Sequence, residues 1–193
     1  MSIKSPDKQL LWSYQASDLL KKLGGEHTFQ PPPRNLHYAM EIGHAIVATE
    51  PHDNLAGFVK MTPWTVDTHD ISPIKKSKMA ELPADFEDIH IGKTVPVCVE
   101  IGSLVVEASK QGNNLGKALV NHMVTMSEKA YPGLKKMAVV TNDNIASLHV
   151  FHALGWQVKT KEEAIQELGT DILDGWDPPS TLFMYKGTQA DIN

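Results

Sequence analysis

Residues 111–116 (QGNNLG) combine the residue types that let a backbone turn bind an anion. The two glycines let the backbone approach a phosphate closely because they carry no side chain. Asn113 and Asn114 belong to the residue type that, after glycine, best tolerates a left-handed backbone. Lys117 follows the turn and adds a positive charge. The segment is therefore a candidate phosphate site, and an ordinary connection between a strand and a helix is the alternative.

The elements on either side of this turn suit the same role. Residues 95–106 form a run rich in Val and Ile, which predicts a buried central strand. Residues 115–130 place their apolar side chains largely on one side, which predicts an amphipathic helix. A strand that leads through a tight turn into a helix offers backbone N–H groups to an anion, and the helix dipole favours negative charge there.

The rest of the chain alternates between helical and extended patterns. Apolar periodicity predicts helices over residues 5–23, 37–42, 142–154 and 162–168. Alternating or β-branched patterns predict strands over residues 44–49, 55–61, 137–141, 156–160 and 181–185, with turn residues at 51–54 closing a hairpin. Residues 31–33 are three prolines and predict extended chain, whereas residues 63–93 have no clear period and predict an irregular insertion. This order predicts an α/β or α+β fold with a mixed sheet flanked by helices.

Two of these segments resemble motifs of the GNAT superfamily of N-acetyltransferases. Residues 102–119 are similar to its coenzyme A motif, a Leu-x-Val strand followed by Arg/Gln-x-x-Gly-x-Gly/Ala. Gln111 takes the first position of that pattern and Gly116 the last, while Asn114 replaces the middle glycine. Residues 144–156 are similar to the family's Asn-x-x-Ala-x-x-x-Tyr-x-x-x-Gly-Phe segment. The resemblance implies one acetyltransferase domain over residues 1–193, with a mostly antiparallel sheet of about six to seven strands.

The resemblance also implies which residues bind acetyl-CoA, the co-substrate of the family. The strand before the turn hydrogen-bonds the pantetheine arm and the acetyl carbonyl through its backbone, and the turn surrounds the pyrophosphate. The residue that matches the family's Asn reaches the coenzyme arm, and a helix N-cap is its alternative role. The residues that match these positions are Leu104, Val105, Val106, Gln111, Gly112, Asn113, Asn114, Leu115, Gly116, Lys117, Asn144 and Phe151.

Glu100 is the leading candidate for the base that deprotonates the incoming amine. Only a neutral amine is nucleophilic, so an ammonium acceptor must first lose a proton. Glu100 lies eleven residues before Gln111, a spacing that resembles the catalytic Glu of the histone-acetylating branch of the family. Its apolar neighbours predict partial desolvation and a raised pKa. A structural salt bridge is the alternative role, and Glu107 is the alternative base.

The general acid is the point where the sequence departs most from the family. Many relatives have a Tyr near the thiolate, but Phe151 occupies the matching position and cannot donate a proton. His152, Tyr131 and Tyr185 are the other candidates. A dedicated acid is not required, because a thiolate is a fair leaving group that water can protonate.

Composition narrows the class of protein. The net charge of -5 argues against a general nucleic-acid binder, which should be basic. The single cysteine, Cys98, excludes an internal disulfide, and no histidine spacing predicts a metal site. No apolar segment is long enough for a membrane helix, and the first residues lack the apolar stretch of a signal peptide. We therefore expect a soluble cytoplasmic protein without a metal or a membrane partner, and a homodimer stays open.

The sequence predicts an N-acetyltransferase that moves acetyl from acetyl-CoA to a primary amine by direct attack. The alternative is a non-catalytic acyl-CoA sensor or interaction module on the same fold, which the departures at Asn114 and Phe151 motivate. The acceptor stays open between small-molecule and peptide amines. Trp64, Phe86 and Trp176 are candidates for the acceptor pocket, with packing in the core or in loops as the alternative.

Overall fold

A single six-stranded sheet organises the computed structural model of the protein, which describes residues 6–23, 33–67, 94–169 and 180–185. Along the described chain, the helices are α1 (Pro6–Leu23), α2 (Pro33–Glu41), α3 (Leu115–Ala130), α4 (Ile145–Ala153) and α5 (Lys161–Leu168). The strands are β1 (Ala45–Thr49), β2 (Leu55–Asp67), β3 (Thr94–Val106), β4 (Lys135–Thr141), β5 (Gln157–Lys159) and β6 (Ser180–Met184).

The sheet is mixed and mostly antiparallel, as predicted. Its order is β1-β2-β3-β4-β6-β5, and every neighbouring pair is antiparallel except β3 with β4. The parallel pair is joined through α3, because strands that run in the same direction need a crossover connection. The longest strands, β2 and β3, lie beside each other in the middle of the molecule.

The helices cover the two faces of this sheet unequally. One face packs against α3 and α4 in a continuous cluster that includes Ile101, Met123 and Phe151. On the other face, α1 and α2 cover the β1–β2 end around Phe58, while α5 covers the β4–β6 end around Met137. The two clusters on this second face are separate, so the middle of β2 and β3 lies between two helical covers.

Two predicted boundaries are wrong. Pro33 begins α2 instead of extending the chain, because the fixed φ of proline and its missing N–H suit the first helical position. The irregular segment does not begin at Pro63, since β2 continues to Asp67 in register with β3. A proline is tolerated there because β1 pairs with β2 only from Leu55 to Lys60, which leaves the next part of β2 at an edge of the described sheet. The remainder of the predicted insertion lies outside the described residues.

Candidate active site

The turn before α3 has the backbone conformation that its composition predicts. Gly112 has a φ of 80° and Asn114 a φ of 61°, so both residues are left-handed. Asn114 therefore supplies the conformation for which relatives of this pattern use glycine. The first N–H groups of α3 have no acceptor within the helix and carry the positive end of its dipole. The turn is thus shaped to bind an anion with backbone groups.

Side chains of the loop hold this turn against the end of β3. The Gln111 side chain donates from Nε2 to the carbonyl oxygen of Val106 at 3.1 Å. The Glu107 carboxylate accepts a hydrogen bond from the Ser109 amide at 2.8 Å, and Lys110 pairs with Glu50 on the connection between β1 and β2. The first residue of the predicted motif therefore braces the loop across five residues of chain.

β3 and β4 part in the middle of the sheet. They pair only from Cys98 to Glu100 on β3, whereas β4 stays paired with β6 as far as Thr141. The later residues of β3 thus have a strand on one side only. The Glu107 amide donates to Ala56 at 2.9 Å, so it points toward β2. Because backbone groups alternate along a strand, those of Val106 and Leu104 point away from β2 into the opening.

A bulge accompanies this opening. Ser103 and Leu104 together lie opposite Val59 of β2, and Ser103 has a φ of 51°. An extra residue in one strand breaks the regular ladder and re-aims the residues that follow. The bulge therefore separates the part of β3 that pairs on both sides from the part that faces the opening.

The opening leads into a cavity of about 510 Å³ between the end of β3, the turn and α4. Ten of the twelve predicted coenzyme residues line it, namely Leu104, Val105, Val106, Gln111, Gly112, Asn114, Leu115, Gly116, Lys117 and Asn144. The other lining residues were not predicted to bind the coenzyme, and they are Leu23, Lys110, Ile145, Ala146, Ser147, His149, Val150 and Ala153. Most of them lie on α4, within the second motif at residues 144–156, so that motif was the available signal.

Asn144 has one of the two roles that the sequence left open, the N-cap, and its position leaves the other role possible. Its side chain accepts a hydrogen bond from the Ser147 amide at 3.1 Å, which is an N-cap of α4. The residue also lines the cavity. The cap holds the start of α4 against the opening between β3 and β4.

Glu100 lies just before the point where β3 and β4 part. It pairs with Thr62 of β2 and Met137 of β4, and its Oε2 accepts a hydrogen bond from the Trp64 indole at 2.8 Å. A Cβ at Gly102 would lie 3.0 Å from its Oε1, so the carboxylate leans along β3 toward the opening. Burial raises the pKa of the Glu100 carboxyl above its ordinary value, while the Trp64 hydrogen bond and the charge of Lys60 oppose that rise.

Comparison with known protein families assigns this chain to one of them. The family model described as "Acetyltransferase (GNAT) family" matches residues 11–156. The chain belongs to the GNAT acetyltransferase family. No curated protein matches the sequence.

Solved structures share the GNAT fold with this chain. Diaminobutyrate acetyltransferase EctA from Paenibacillus lautus, in complex with its substrate and coenzyme A, is 15% identical with a TM-score of 0.55, covering 91% of this chain and 89% of its own. NAA60 from Arabidopsis thaliana with acetyl-CoA is 17% identical with a TM-score of 0.53, covering 90% and 92%. Phosphinothricin acetyltransferase from Sinorhizobium meliloti is 13% identical with a TM-score of 0.53, covering 94% and 83%. These likenesses show the fold.

Two predicted coenzyme residues of this GNAT chain lie outside the cavity lining. Asn113 is exposed on the turn. Phe151 is only 2% exposed, and its ring lies 4.9 Å from that of Trp156 and 5.5 Å from that of Phe183. Its side chain therefore packs in the core between α4 and the sheet.

Glu100 is not part of the cavity lining, and the other candidates for proton transfer also lie outside it. Glu107 is bound to Ser109 at the surface, and hydrogen bonding to Ser109 lowers the pKa of its carboxyl. Tyr131 shares a hydrogen bond of 3.0 Å with the His44 ring, and burial raises the pKa of its phenol. His152 and Tyr185 contact the rings of Phe183 and Trp156. None of these four residues is part of the cavity lining.

The described residues bring no three His, Cys, Asp or Glu side chains together in a group that could hold a metal ion. Cys98 is buried, and its sulfur lies 3.7 Å from the sulfur of Met137.

Among the described residues, no helix combines the length and the apolar character needed to cross a membrane. Of the three aromatic candidates for an acceptor pocket, Trp64 reaches Glu100, while Phe86 and Trp176 lie outside the described residues.

Proposed function

We propose that the chain is an acetyl-CoA-dependent N-acetyltransferase that moves acetyl to a primary amine by direct attack. One observation carries the proposal: the free edge of β3 and the amino end of α3 border the same cavity. A free strand edge offers hydrogen-bonding groups to an extended amide chain, and a helix amino end offers N–H groups to phosphate. Pantetheine and pyrophosphate have this chemistry and follow one another in coenzyme A.

The turn and its flanks bind the coenzyme mainly through the backbone. The N–H groups of residues 112–117 surround the pyrophosphate, with Gly112 and Asn114 in the left-handed conformation that directs them outward. Lys117 borders the cavity and adds positive charge near the phosphates, whereas Lys110, which also borders it, pairs with Glu50. The pantetheine arm follows β3 past Val106 to Leu104. Asn113, at the exposed tip of the turn, contributes its backbone.

In the chemical step, the thioester of acetyl-CoA lies beside the bulge in β3. A neutral amine attacks the thioester carbonyl, and the developing oxyanion accepts hydrogen bonds from backbone N–H groups that point into the opening. The carbon–sulfur bond then breaks, the new carbon–nitrogen bond remains, and the coenzyme leaves as a thiolate. A backbone donor fixed by the sheet needs no reorganisation during this step, so it stabilises the transition state efficiently.

Glu100 serves as the general base. Its carboxylate leans toward Gly102, two residues before Leu104, a span of about 7 Å along the strand. An acceptor amine together with one water molecule fills such a span, and proton transfer through one water is effective. Burial moves the pKa of this carboxyl upward, which brings its basicity closer to that required near neutral pH.

Protonation of the thiolate needs no dedicated side chain in this proposal. Phe151 cannot donate a proton, and His152, Tyr131 and Tyr185 are outside the cavity lining. The thiolate of coenzyme A is stable enough at neutral pH to leave and then take a proton from water. The proposed roles thus require Glu100 and the backbone but no general acid.

An amine acceptor agrees with the ligands of proteins that share the fold. EctA was solved with L-2,4-diaminobutyric acid and coenzyme A. N-acetylglutamate synthase from Neisseria gonorrhoeae was solved with coenzyme A and N-acetyl-glutamate. Arabidopsis NAA60 was solved with a bisubstrate analogue. We propose that this chain also takes an amine, either free or in a peptide.

Two measurements on the full chain test this function. Calorimetric titration with coenzyme A and with acetyl-CoA measures binding, and release of free thiol from acetyl-CoA measures transfer to a panel of amines. We expect saturable binding and amine-dependent thiol release, with the acetylated amine identified by mass spectrometry. Tight binding without transfer to any amine would contradict the enzyme and leave an acyl-CoA sensor. Absence of binding would contradict both.

A further inference from the structure

A polar strip crosses the middle of the sheet on the face that α1, α2 and α5 cover only at the two ends. It consists of Lys60 and Thr62 of β2 and of Glu100 and Gly102 of β3. Lys60 pairs with Gly102 and Thr62 pairs with Glu100, so all four residues lie on one side of the sheet. Each of the four is partly exposed. By contrast, Phe58 of β2, at one end of the strip, and Cys98 of β3, at the other end, are fully buried.

Lys60 is partly buried in the middle of the sheet, and it lacks the ion pair that several other lysines of the described chain have. Lys136, Lys110 and Lys159 each have a carboxylate within ion-pair distance, supplied by Glu128, Glu50 and Glu167. Within the described part of the chain, no carboxylate lies within 4.0 Å of the Lys60 ammonium. Its electrostatic interaction is with Glu100, which is close enough to raise the pKa of the Lys60 amine.

Glu100 and Lys60 interact at a distance longer than an ion pair, while Oε2 of Glu100 accepts the hydrogen bond from Trp64. Burial lowers the pKa of the Lys60 amine and the charge of Glu100 raises it, with burial the larger effect. A partly desolvated charge without a contacting counter-ion is unfavourable, and an anion delivered by a ligand would relieve it. The strip therefore offers one site for a cation, at Glu100, and one site for an anion, at Lys60.

We infer that the acceptor is a small amine that carries a carboxylate close to its amino group, as an amino acid does, and that Lys60 binds this carboxylate. Lys60 and Glu100 are diagonal neighbours on adjacent strands, a relation that places Cα atoms about 7–8 Å apart. Their charged groups interact but are more than 4.0 Å apart, which leaves room for a zwitterion whose own charged groups are a few bonds apart. The inference rests on the proposed acetyltransferase function.

This arrangement discriminates against an internal lysine of a protein as the acceptor. The amine of such a lysine has no carboxylate within a few bonds, so Lys60 would stay uncompensated when the acceptor binds. Lys60 would also repel the incoming ammonium at short range. An acceptor that carries its own carboxylate avoids both effects. The preference is therefore a difference in binding free energy between two kinds of acceptor at the same strip.

Matched acceptor pairs on the full chain test the inference. Each α- or ω-amino acid is compared with its carboxamide, which has almost the same size and a less basic amine. A charge-assisted hydrogen bond to Lys60 corresponds to a preference of about 10- to 100-fold in kcat/KM for the acid. The lower basicity of the carboxamide amine works against this preference, so a preference for the acid reports the carboxylate.

Variants at position 60 assign the preference to the lysine. In Lys60→Met the KM for the amino acid rises about 10- to 100-fold. The charge of Lys60 lowers the pKa of the Glu100 carboxyl, so its loss also moves the acidic limb of the pH profile to higher pH for both acceptors, and kcat/KM is compared on the plateau above that limb. On that plateau, kcat/KM for the carboxamide and the Kd for acetyl-CoA change by less than about threefold. Lys60→Arg keeps the charge and keeps most of the preference. Lys129→Met removes a charge from the exposed end of α3 and serves as the matched control.

The outcomes separate this inference from the proposed function. Equal kcat/KM for acids and carboxamides in the wild type would overturn the inference and leave the acetyltransferase intact. An equal loss for both acceptors in Lys60→Met, with the Kd for acetyl-CoA unchanged, would also overturn it. Transfer to no amine at all would overturn both. If Lys60→Met does not bind acetyl-CoA, the comparison of acids with carboxamides in the wild type still decides.

Discussion

The two halves of β3 expose different kinds of group, backbone in one half and a side chain in the other. The carboxyl half presents backbone groups of Leu104 and Val106 to the cavity and leads into a turn whose N–H groups point outward. The amino half presents the side chain of Glu100, held by Trp64 and placed beside Lys60 of the neighbouring strand. A residue pair at the bulge, Ser103 and Leu104, separates the two halves.

This difference predicts that substitutions in the two halves of β3 have different effects. A backbone site depends on conformation, so many side chains are compatible with it and only those that resist the required φ disturb it. A site built from one carboxylate and its neighbours depends on chemical identity, so a single substitution removes it. We therefore expect substitutions in the carboxyl half to change coenzyme affinity and substitutions in the amino half to change turnover.

Glu100→Gln gives the largest expected effect. Glutamine keeps the size of the side chain and an oxygen for the Trp64 hydrogen bond but cannot remove a proton. Steady-state kinetics should show a fall in kcat of about 10²- to 10⁴-fold. Calorimetry should show an unchanged Kd for acetyl-CoA. Glu107→Gln, which alters an exposed carboxylate, is the control, and full turnover in Glu100→Gln would remove Glu100 from the mechanism.

Asn114→Val tests the backbone half. A β-branched residue resists the left-handed conformation that Asn114 adopts at a φ of 61°, with a cost of about 1–2 kcal/mol. The binding-competent turn is then less populated, so the Kd for coenzyme A should rise about 5- to 30-fold. Asn114→Gly should stay within about twofold of the wild type. If the Asn114→Val variant binds coenzyme A as tightly as the wild type does, coenzyme binding does not depend on the left-handed backbone at this position.

Gly102→Ala and Gly116→Ala should have smaller effects than the previous variants, one on kcat and the other on coenzyme affinity. A Cβ at Gly102 would lie 3.0 Å from Oε1 of Glu100, so the carboxylate must shift by a few tenths of an ångström. We expect kcat to fall roughly three- to tenfold with coenzyme affinity unchanged. A Cβ at Gly116 would lie 3.2 Å from Val150, which borders the cavity, so this change should act on coenzyme affinity instead. The same response from both variants would contradict the division between the halves.

Trp64→Phe should shift the pH dependence with little change in the maximal rate. The indole hydrogen bond favours the ionised form of Glu100, so its loss moves the pKa of the carboxyl further up. The base must be ionised to act, so the acidic limb of the kcat/KM profile should move to higher pH. Trp156→Phe is the control, because that indole N–H has no hydrogen-bond partner among the described residues. A limb at the wild-type position in Trp64→Phe would mean that the limb does not report Glu100.

Local patterns explain why the conformation of the carboxyl half of β3 and of the turn and helix after it could be predicted. Glycines and asparagines impose the turn, apolar periodicity imposes β3 and α3, and all of these lie within residues 95–130. The structure confirms the left-handed backbone at Asn114 and the helix that follows it. Phe151 was assigned to the coenzyme by its place in a motif, but its orientation depends on how α4 packs against β6, which no local pattern specifies.

The surroundings of Glu100 could not be predicted in the same way. Trp64 was placed in an irregular segment, and nothing in the sequence joined it to a carboxylate 36 residues later. Lys60 was not singled out, because its position beside Gly102 follows from the register of β2 against β3 and from a bulge in that pairing. A shift of one residue in that register would have put Lys60 on the opposite face of the sheet.

The strand, the turn and the helix that border the cavity follow from residues close together in the chain, so the amino-acid pattern is enough to predict them. The spacing of a family motif also made Glu100 a candidate. Which side chains surround that carboxylate, where β3 and β4 part, and which face of α4 is buried become known from the folded structure. Those features depend on strand register and helix packing between distant segments, whose free energies are sums over many contacts.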